Sequence, residues 1–168
     1  MQTPDVPDFL HSAGVYRAMG QNPALLRAWA PLRAHVVTQN ALGAYRLEIV
    51  ILRAAHAQDS SYEWAHHVVR GRQAGLDDAL IAALKGPLTG LEGEAALLAE
   101  TVDALSGTTM LPPSLRDRLI AHLGEVATLD LIATVGFYST LAFILKTFDV
   151  ALDAEIVEAL DAAPLTED

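Results

Sequence analysis

Apolar residues recur at the three- and four-residue spacing of an α-helix along almost the whole chain, and this periodicity strongly constrains the fold. Ala, Leu, Glu and Arg fill these segments, whereas a β protein would show alternating Val, Ile and Thr. The pattern predicts an all-α bundle of about eight helices that forms one domain over residues 1–168. We expect eight helices, at about residues 8–19, 22–39, 43–57, 60–74, 77–84, 91–105, 112–123 and 126–148, and a weak terminal helix at 151–163.

The composition excludes several classes of function. The chain has no cysteine, so it can form no disulfide, no zinc–thiolate site and no thiol-based catalytic centre. Its 11 Lys+Arg against 21 Asp+Glu give a net charge of −10, which argues against non-specific nucleic-acid binding. The longest apolar stretch, residues 131–145, is shorter than the roughly 20 residues of a membrane-spanning helix. Because residues 1–9 also lack the pattern of a secretory signal, we expect a soluble cytoplasmic protein without nucleic-acid or membrane partners.

Glu48 stands out in the third predicted helix because apolar residues surround it on every side of that helix. A helix of this kind is buried, so the Glu48 carboxylate needs a partner or a proton. One hypothesis makes Glu48 part of a functional site. The alternative is an ion pair with Arg46, Arg53 or an arginine of a neighbouring helix.

The fourth predicted helix presents Glu63 and His67 one turn apart on one face, with Ser60 three residues before Glu63. Taken alone, such a pair is typical of an exposed helix surface. A tight antiparallel hairpin of the third and fourth helices, which Gly71 favours by allowing close approach, would however bring Glu48, Glu63 and His67 into one small volume. Two carboxylates in a low-dielectric site do not both ionise cheaply, so the cluster predicts acid/base chemistry.

A metal site is the other chemistry that these residue types support, because Glu and His are ligands of iron, manganese and zinc. The chain lacks both His-Glu-x-x-His and the duplicated Glu-x-x-His of di-iron bundles. His66 lies about 100° around the helix from His67, which disfavours their binding one ion. We therefore expect neither a metal nor another cofactor.

The spacing of the acidic residues and His67 resembles the carboxymuconolactone decarboxylase family, part of the alkylhydroperoxidase-D-like superfamily. The family pattern is a helix-borne Glu, then Glu-x-x-x-His about fifteen residues on, then a Gly eight residues after the His; Glu48, Glu63, His67 and Gly75 match it. The resemblance implies an alkylhydroperoxidase-D-like helical bundle that assembles as a trimer or higher homo-oligomer, such as a hexamer. It also implies that Glu48, Glu63 and His67 are catalytic.

The chain departs from the peroxidase branch of this superfamily, which carries Cys-x-x-Cys-x-x-x-His. Ser60 and Glu63 stand at the two cysteine positions, and His67 is retained. A thiol relay for hydroperoxide reduction is therefore excluded. The resemblance favours the cysteine-less decarboxylase branch, with no cofactor and a small molecule as substrate.

These observations predict a cofactor-free enzyme of the decarboxylase type that acts on a small lactone or carboxylate. We expect Ser60, Tyr62 and His66 to contact the substrate, and Arg53 or Arg70 to supply positive charge if the substrate is anionic. The alternative is a non-catalytic oligomeric protein that binds a small molecule and uses the same Glu/His network structurally. Subunit packing is expected to use the long helix 126–148, in particular Phe137, Tyr138, Leu141, Phe143 and Leu145.

Overall fold

The computed structural model describes residues 13–165, and all regular secondary structure in that range is helical. The expected all-α fold class is thereby confirmed. A π-helical segment at His35–Gln39 and a 3-10 turn at Leu88–Gly90 accompany the α-helices. The α-helices of the described range are α1 (Gly14–Met19), α2 (Pro23–Ala34), α3 (Ala44–Ala57), α4 (Ser61–Gln73), α5 (Asp78–Ala83), α6 (Gly93–Thr108), α7 (Pro113–Thr147) and α8 (Ala154–Ala162).

The helix ends follow from capping residues that are visible in the sequence. The Asn22 side chain accepts a hydrogen bond from the Leu25 N–H at 3.1 Å, and Pro23 occupies the first position of α2. Gly75 follows α4 with a φ of +95°, a conformation that favours glycine. The Asp8 cap predicted for the first helix lies outside the described residues.

Helix α3 forms the centre of the molecule and packs against α4, α6 and α7. Its residues Ile49, Val50, Ile51 and Leu52 are all at most 1% exposed, as the apolar pattern on every side predicts. Gly71 of α4 faces this helix: an added Cβ would lie 3.4 Å from a Leu52 side-chain carbon, so the space between α3 and α4 is already filled. This tight pair positions the site described below.

Helix α7 contains a break at Gly124, where φ is +81° and ψ is 167°. The sequence predicts two helices here, ending and starting on either side of this glycine. By length and composition alone α7 is apolar enough to cross a membrane, but 56% of its most apolar window is buried within the protein. Burial of this kind is found in the core helices of soluble proteins.

Most of the α7 residues predicted to form subunit surface are buried within the single chain. Phe137, Tyr138, Leu141 and Leu145 are only 2–3% exposed within a single chain, so they are not surplus subunit surface. Phe137 stacks on Trp29 of α2, which explains its burial. The exposed apolar side chains of α7 are instead Val126, Leu129, Ile132 and Phe143.

Candidate functional site

Helices α3 and α4 form the predicted hairpin, and it brings Glu48, Glu63 and His67 together. His67 Nδ1 lies 2.6 Å from Glu48 Oε2 and forms a hydrogen bond with it. His67 Nε2 lies 3.5 Å from Glu63 Oε2, close enough for charge attraction but without hydrogen-bond geometry. The three side chains are buried, with His67 only 1% exposed.

The predicted alternative partners of Glu48 are engaged elsewhere. Arg46 pairs with Glu94 at 2.7 Å. Arg53 pairs with Asp103 and also donates to two backbone carbonyls. The hypothesis of an Arg46 or Arg53 ion pair with Glu48 is therefore wrong, and so is the expectation that Arg53 supplies charge to a substrate.

His67 is surrounded so that its protonated form is favoured. Burial by itself lowers the pKa of this histidine, but the charge and hydrogen bond of Glu48, together with Glu63, raise the pKa above its ordinary value of 6.5. Its Nε2 is buried and has no hydrogen-bond partner among the described residues. Such atoms are rare in folded proteins. Nε2 is therefore the atom of this cluster that is available to a ligand.

A cavity of about 30 Å³ lies against His67, which is room for one or two water molecules. Glu48 does not line this cavity and contacts the other ring nitrogen of His67, Nδ1. The polar side chains that do line the cavity are Tyr16, Arg33, Tyr62, Glu63, His66, His67, Arg70 and Tyr138.

A second hydrogen-bond network, centred on the buried carboxylate of Asp153, borders the same cavity. The Tyr62 hydroxyl donates to Asp153, and His66 Nε2 lies 3.2 Å from Asp153 Oδ2. The carboxylate also accepts from the Gly14 N–H at 3.1 Å and from Arg17 at 3.3 Å. Asp153 thus connects α1 and α4 to the start of α8.

The pKa values of the two adjacent histidines, His66 and His67, are shifted in opposite directions. Burial lowers the pKa of His66, and the positive charge of Arg70 adds to this effect. Two imidazoles with pKa values shifted in opposite directions therefore lie beside one cavity, an arrangement suited to proton transfer. For Asp153, burial acts to raise the pKa, but hydrogen bonds from Tyr62, Gly14 and Arg17 outweigh it and lower the pKa.

Not every predicted site residue lies at the cavity. Tyr62 and His66 do, but Ser60 does not line it: the Ser60 hydroxyl is 3.5 Å from the Glu63 N–H and caps α4. Among residues 13–165, no three Asp, Glu or His side chains are arranged to hold one metal ion.

Sequence reasoning missed four residues at or beside the site. Tyr16, Arg33 and Tyr138 come from three other helices, and no local pattern links them to the α3–α4 motif. Asp153 directly precedes α8, and an aspartate at that position is typical of an ordinary helix N-cap. Its side chain makes no cap hydrogen bond and is instead directed at Tyr62 and Gly14.

Comparison with known protein families identifies a match to this chain. The model of the carboxymuconolactone decarboxylase family matches residues 23–110, which include Glu48, Glu63 and His67. Neither the curated proteins nor the solved structures contain a significant match. The matched residues are more than half of the chain, and they contain the whole α3–α4 hairpin. The chain therefore belongs to the carboxymuconolactone decarboxylase family, and membership indicates a decarboxylase-like or related function.

Proposed function

We propose that the protein is a cofactor-free acid/base enzyme of the carboxymuconolactone decarboxylase type that acts on a small lactone or carboxylate. His67 is the proton donor, and Glu48 and Glu63 orient it and relay its proton. The observation that carries this proposal is the buried Nε2 of His67, which lies at the cavity wall without a hydrogen-bond partner among the described residues. A protonated nitrogen in that position delivers a proton without competition from bulk water.

The proposed step conserves atoms and electrons. The bond between a substrate carbon and its carboxylate breaks, CO2 leaves, and the electron pair spreads into the conjugated lactone carbonyl. His67 Nε2 then donates its proton to carbon. Glu48 holds Nδ1 at 2.6 Å and so fixes the ring orientation, while Glu63, 3.5 Å from Nε2, returns a proton from solvent. Tyr62 and His66 contact the substrate in this proposal, and Ser60 has no part in it.

The test is turnover of conjugated lactones and unsaturated carboxylates, followed as CO2 release. We expect the wild-type protein to turn over at least one of them. His67→Gln should reduce kcat about 100-fold or more, since general acid catalysis contributes about 10²- to 10⁴-fold. Glu63→Gln keeps the side-chain shape but removes the ionisable group, so it should also lower kcat while the protein remains folded. A panel without any turnover by folded wild-type protein would contradict the proposal.

A second candidate is a non-catalytic oligomeric binding protein, and the buried hydrogen bond between Glu48 and His67 favours it because such a contact also stabilises a fold. The cavity volume of about 30 Å³ is far below the roughly 300–1,000 Å³ of typical small-molecule sites. A substrate enters only if side chains at the rim or helix α1 move. In this second function the Glu/His network is structural, and ligands bind without being converted. Equal ligand affinity of wild type and Glu63→Gln, with no product from either, would identify it.

A further inference from the structure

Arg70 occupies a distinctive place beside the cavity. It lies on α4, three residues after His67 and seven after Glu63, so the three side chains share one face of the helix. Arg70 lines the cavity and is exposed. Its guanidinium forms no hydrogen bond and no ion pair with any residue in the range 13–165. Its N–H donors are therefore available to an incoming acceptor.

An arginine without a carboxylate partner is unusual in a chain with 21 acidic residues. Most other arginines of the described range have a carboxylate within hydrogen-bond distance. Arg72, only two residues further along α4, pairs with Asp78 at 2.7 Å. Further arginine–carboxylate pairs are Arg17–Asp153, Arg46–Glu94, Arg53–Asp103, Arg116–Asp117 and Arg118–Glu100.

The positive charge of Arg70 reaches the interior of the cavity. Burial lowers the pKa of His66, and Arg70 lowers it further. Burial raises the pKa of Tyr138 far above its ordinary value, and here Arg70 acts in the opposite direction. An anion in the cavity would therefore be attracted to Arg70 although the protein as a whole is acidic.

Arg33 adds a second guanidinium from another helix, α2. Its Nε donates to the Tyr16 hydroxyl at 3.0 Å, and its guanidinium lies 5.5 Å from the centre of the Tyr16 ring. These contacts hold Arg33 at the cavity wall. The positive charge of two guanidiniums beside one small cavity favours a carboxylate ligand, and the planar N–H pairs of Arg70 match its two oxygens.

We propose that Arg70 binds the carboxylate of the substrate and thereby selects anionic over neutral molecules at this site. The pairing also sets where the substrate lies relative to His67, about one helical turn away along α4. The catalytic meaning of this position rests on the proposed function. The binding itself is measurable without any turnover.

The experiment is calorimetric titration of the full-length protein with crotonate and with crotonamide, which share a conjugated carbon skeleton and differ in charge. We expect the wild type to bind crotonate more tightly. Arg70→Gln should weaken crotonate binding at least tenfold and leave crotonamide binding unchanged, whereas Arg70→Lys should retain part of the preference. Arg27→Gln is the matched control, because Arg27 is exposed, has no hydrogen-bond or ion-pair partner among the described residues and does not line the cavity.

Two results would overturn the assignment: crotonate binding by Arg70→Gln within twofold of wild type, or a wild type that binds crotonate no better than crotonamide. His67→Gln separates this inference from the proposed function. If crotonate binding depends on Arg70 in both wild type and His67→Gln but no substrate is converted, the anion site stands and the enzyme proposal falls. If turnover is found and Arg70→Gln leaves its KM unchanged, the enzyme proposal stands and the anion site falls.

Discussion

At the scale of single residues, His67 shows how neighbouring carboxylates favour the charged form of a buried imidazole. A lone buried histidine loses its proton more easily because burial disfavours the charged form. Here Glu48 lies 2.6 Å from Nδ1 and Glu63 lies 3.5 Å from Nε2, and their combined effect outweighs burial. The same arrangement makes the stability of the protein depend on pH.

We expect the free energy of unfolding to fall as the pH rises above about 6.5, the ordinary pKa of histidine. The folded-state pKa of His67 is raised, so its contribution is fully present below that pH and is lost as the pH passes through the folded-state value. Glu48→Gln should lower the free energy of unfolding by about 1–3 kcal/mol near neutral pH and flatten this dependence. Urea unfolding from about pH 6 to about pH 9 measures both effects.

Glu100→Gln is the control for this prediction. Glu100 pairs with Arg118 at 3.0 Å, but both side chains are well exposed, so the pair contributes about 1 kcal/mol or less. Its removal should leave the pH dependence unchanged. An unaltered pH slope in Glu48→Gln would show that Glu48 does not hold the proton of His67.

At the scale of elements, the short helix α1 is held in place by a residue near the other end of the chain. Asp153 accepts hydrogen bonds from the Gly14 N–H and from Arg17, and also from Tyr62 of α4. A six-residue helix is not stable by itself in water, so these contacts decide its position. Val15 and Tyr16 line the cavity beside His67, so α1 forms part of the cavity wall.

Asp153→Asn should destabilise the protein by about 1–3 kcal/mol near neutral pH and release α1. The pKa of Asp153 is lowered in the folded state, so its contribution is present above about pH 4 and is lost as the pH falls through the folded-state value. Wild type and variant should therefore converge in stability at low pH. Hydrogen exchange of the amides in Gly14–Met19 should become at least about tenfold faster.

Asp161→Asn on α8 is the matched control, because Asp161 is exposed and has no hydrogen-bond or ion-pair partner among the described residues. It should change stability by less than about 0.5 kcal/mol. Unchanged exchange of α1 in Asp153→Asn would contradict an anchoring role for Asp153.

The elements were largely predictable from local pattern, and their exact limits were not. The period of apolar residues, Pro23 and Gly75 mark the helices because capping and backbone preference act over a few residues. The terminal helix, however, begins at Ala154 rather than at residue 151. The preceding Asp153 accepts hydrogen bonds from Gly14 of α1 and Tyr62 of α4. These are long-range contacts, which the local sequence pattern does not predict.

At the scale of the whole molecule, α7 presents an apolar face that the single chain leaves exposed. Val126 and Leu129 are 69% and 66% exposed, and Phe143 is 59% exposed. We propose that this face packs against other copies of the chain in a trimer or a dimer of trimers. An uncharged contact suits copies that each carry a net charge of −10, because charged surfaces of the same sign repel.

Leu129→Glu should shift the protein towards monomer, since it would bury a carboxylate between copies. Light scattering after size-exclusion chromatography at micromolar concentration measures the change. Met110→Glu alters a residue that is 63% exposed but outside α7, and it should keep the wild-type assembly. A wild-type protein that is monomeric under these conditions would refute the proposed assembly.

The sequence by itself determined the all-α class, the burial of α3 and the meeting of Glu48, Glu63 and His67. Consecutive amphipathic helices that are joined by a short connector pack as a hairpin. These features therefore follow from the local sequence pattern. Only the tertiary structure decided that Glu48 pairs with His67 rather than with Arg46 or Arg53. It also decided that Arg33, Tyr138 and Asp153 complete the site, because helices distant in the chain meet only when the whole core forms.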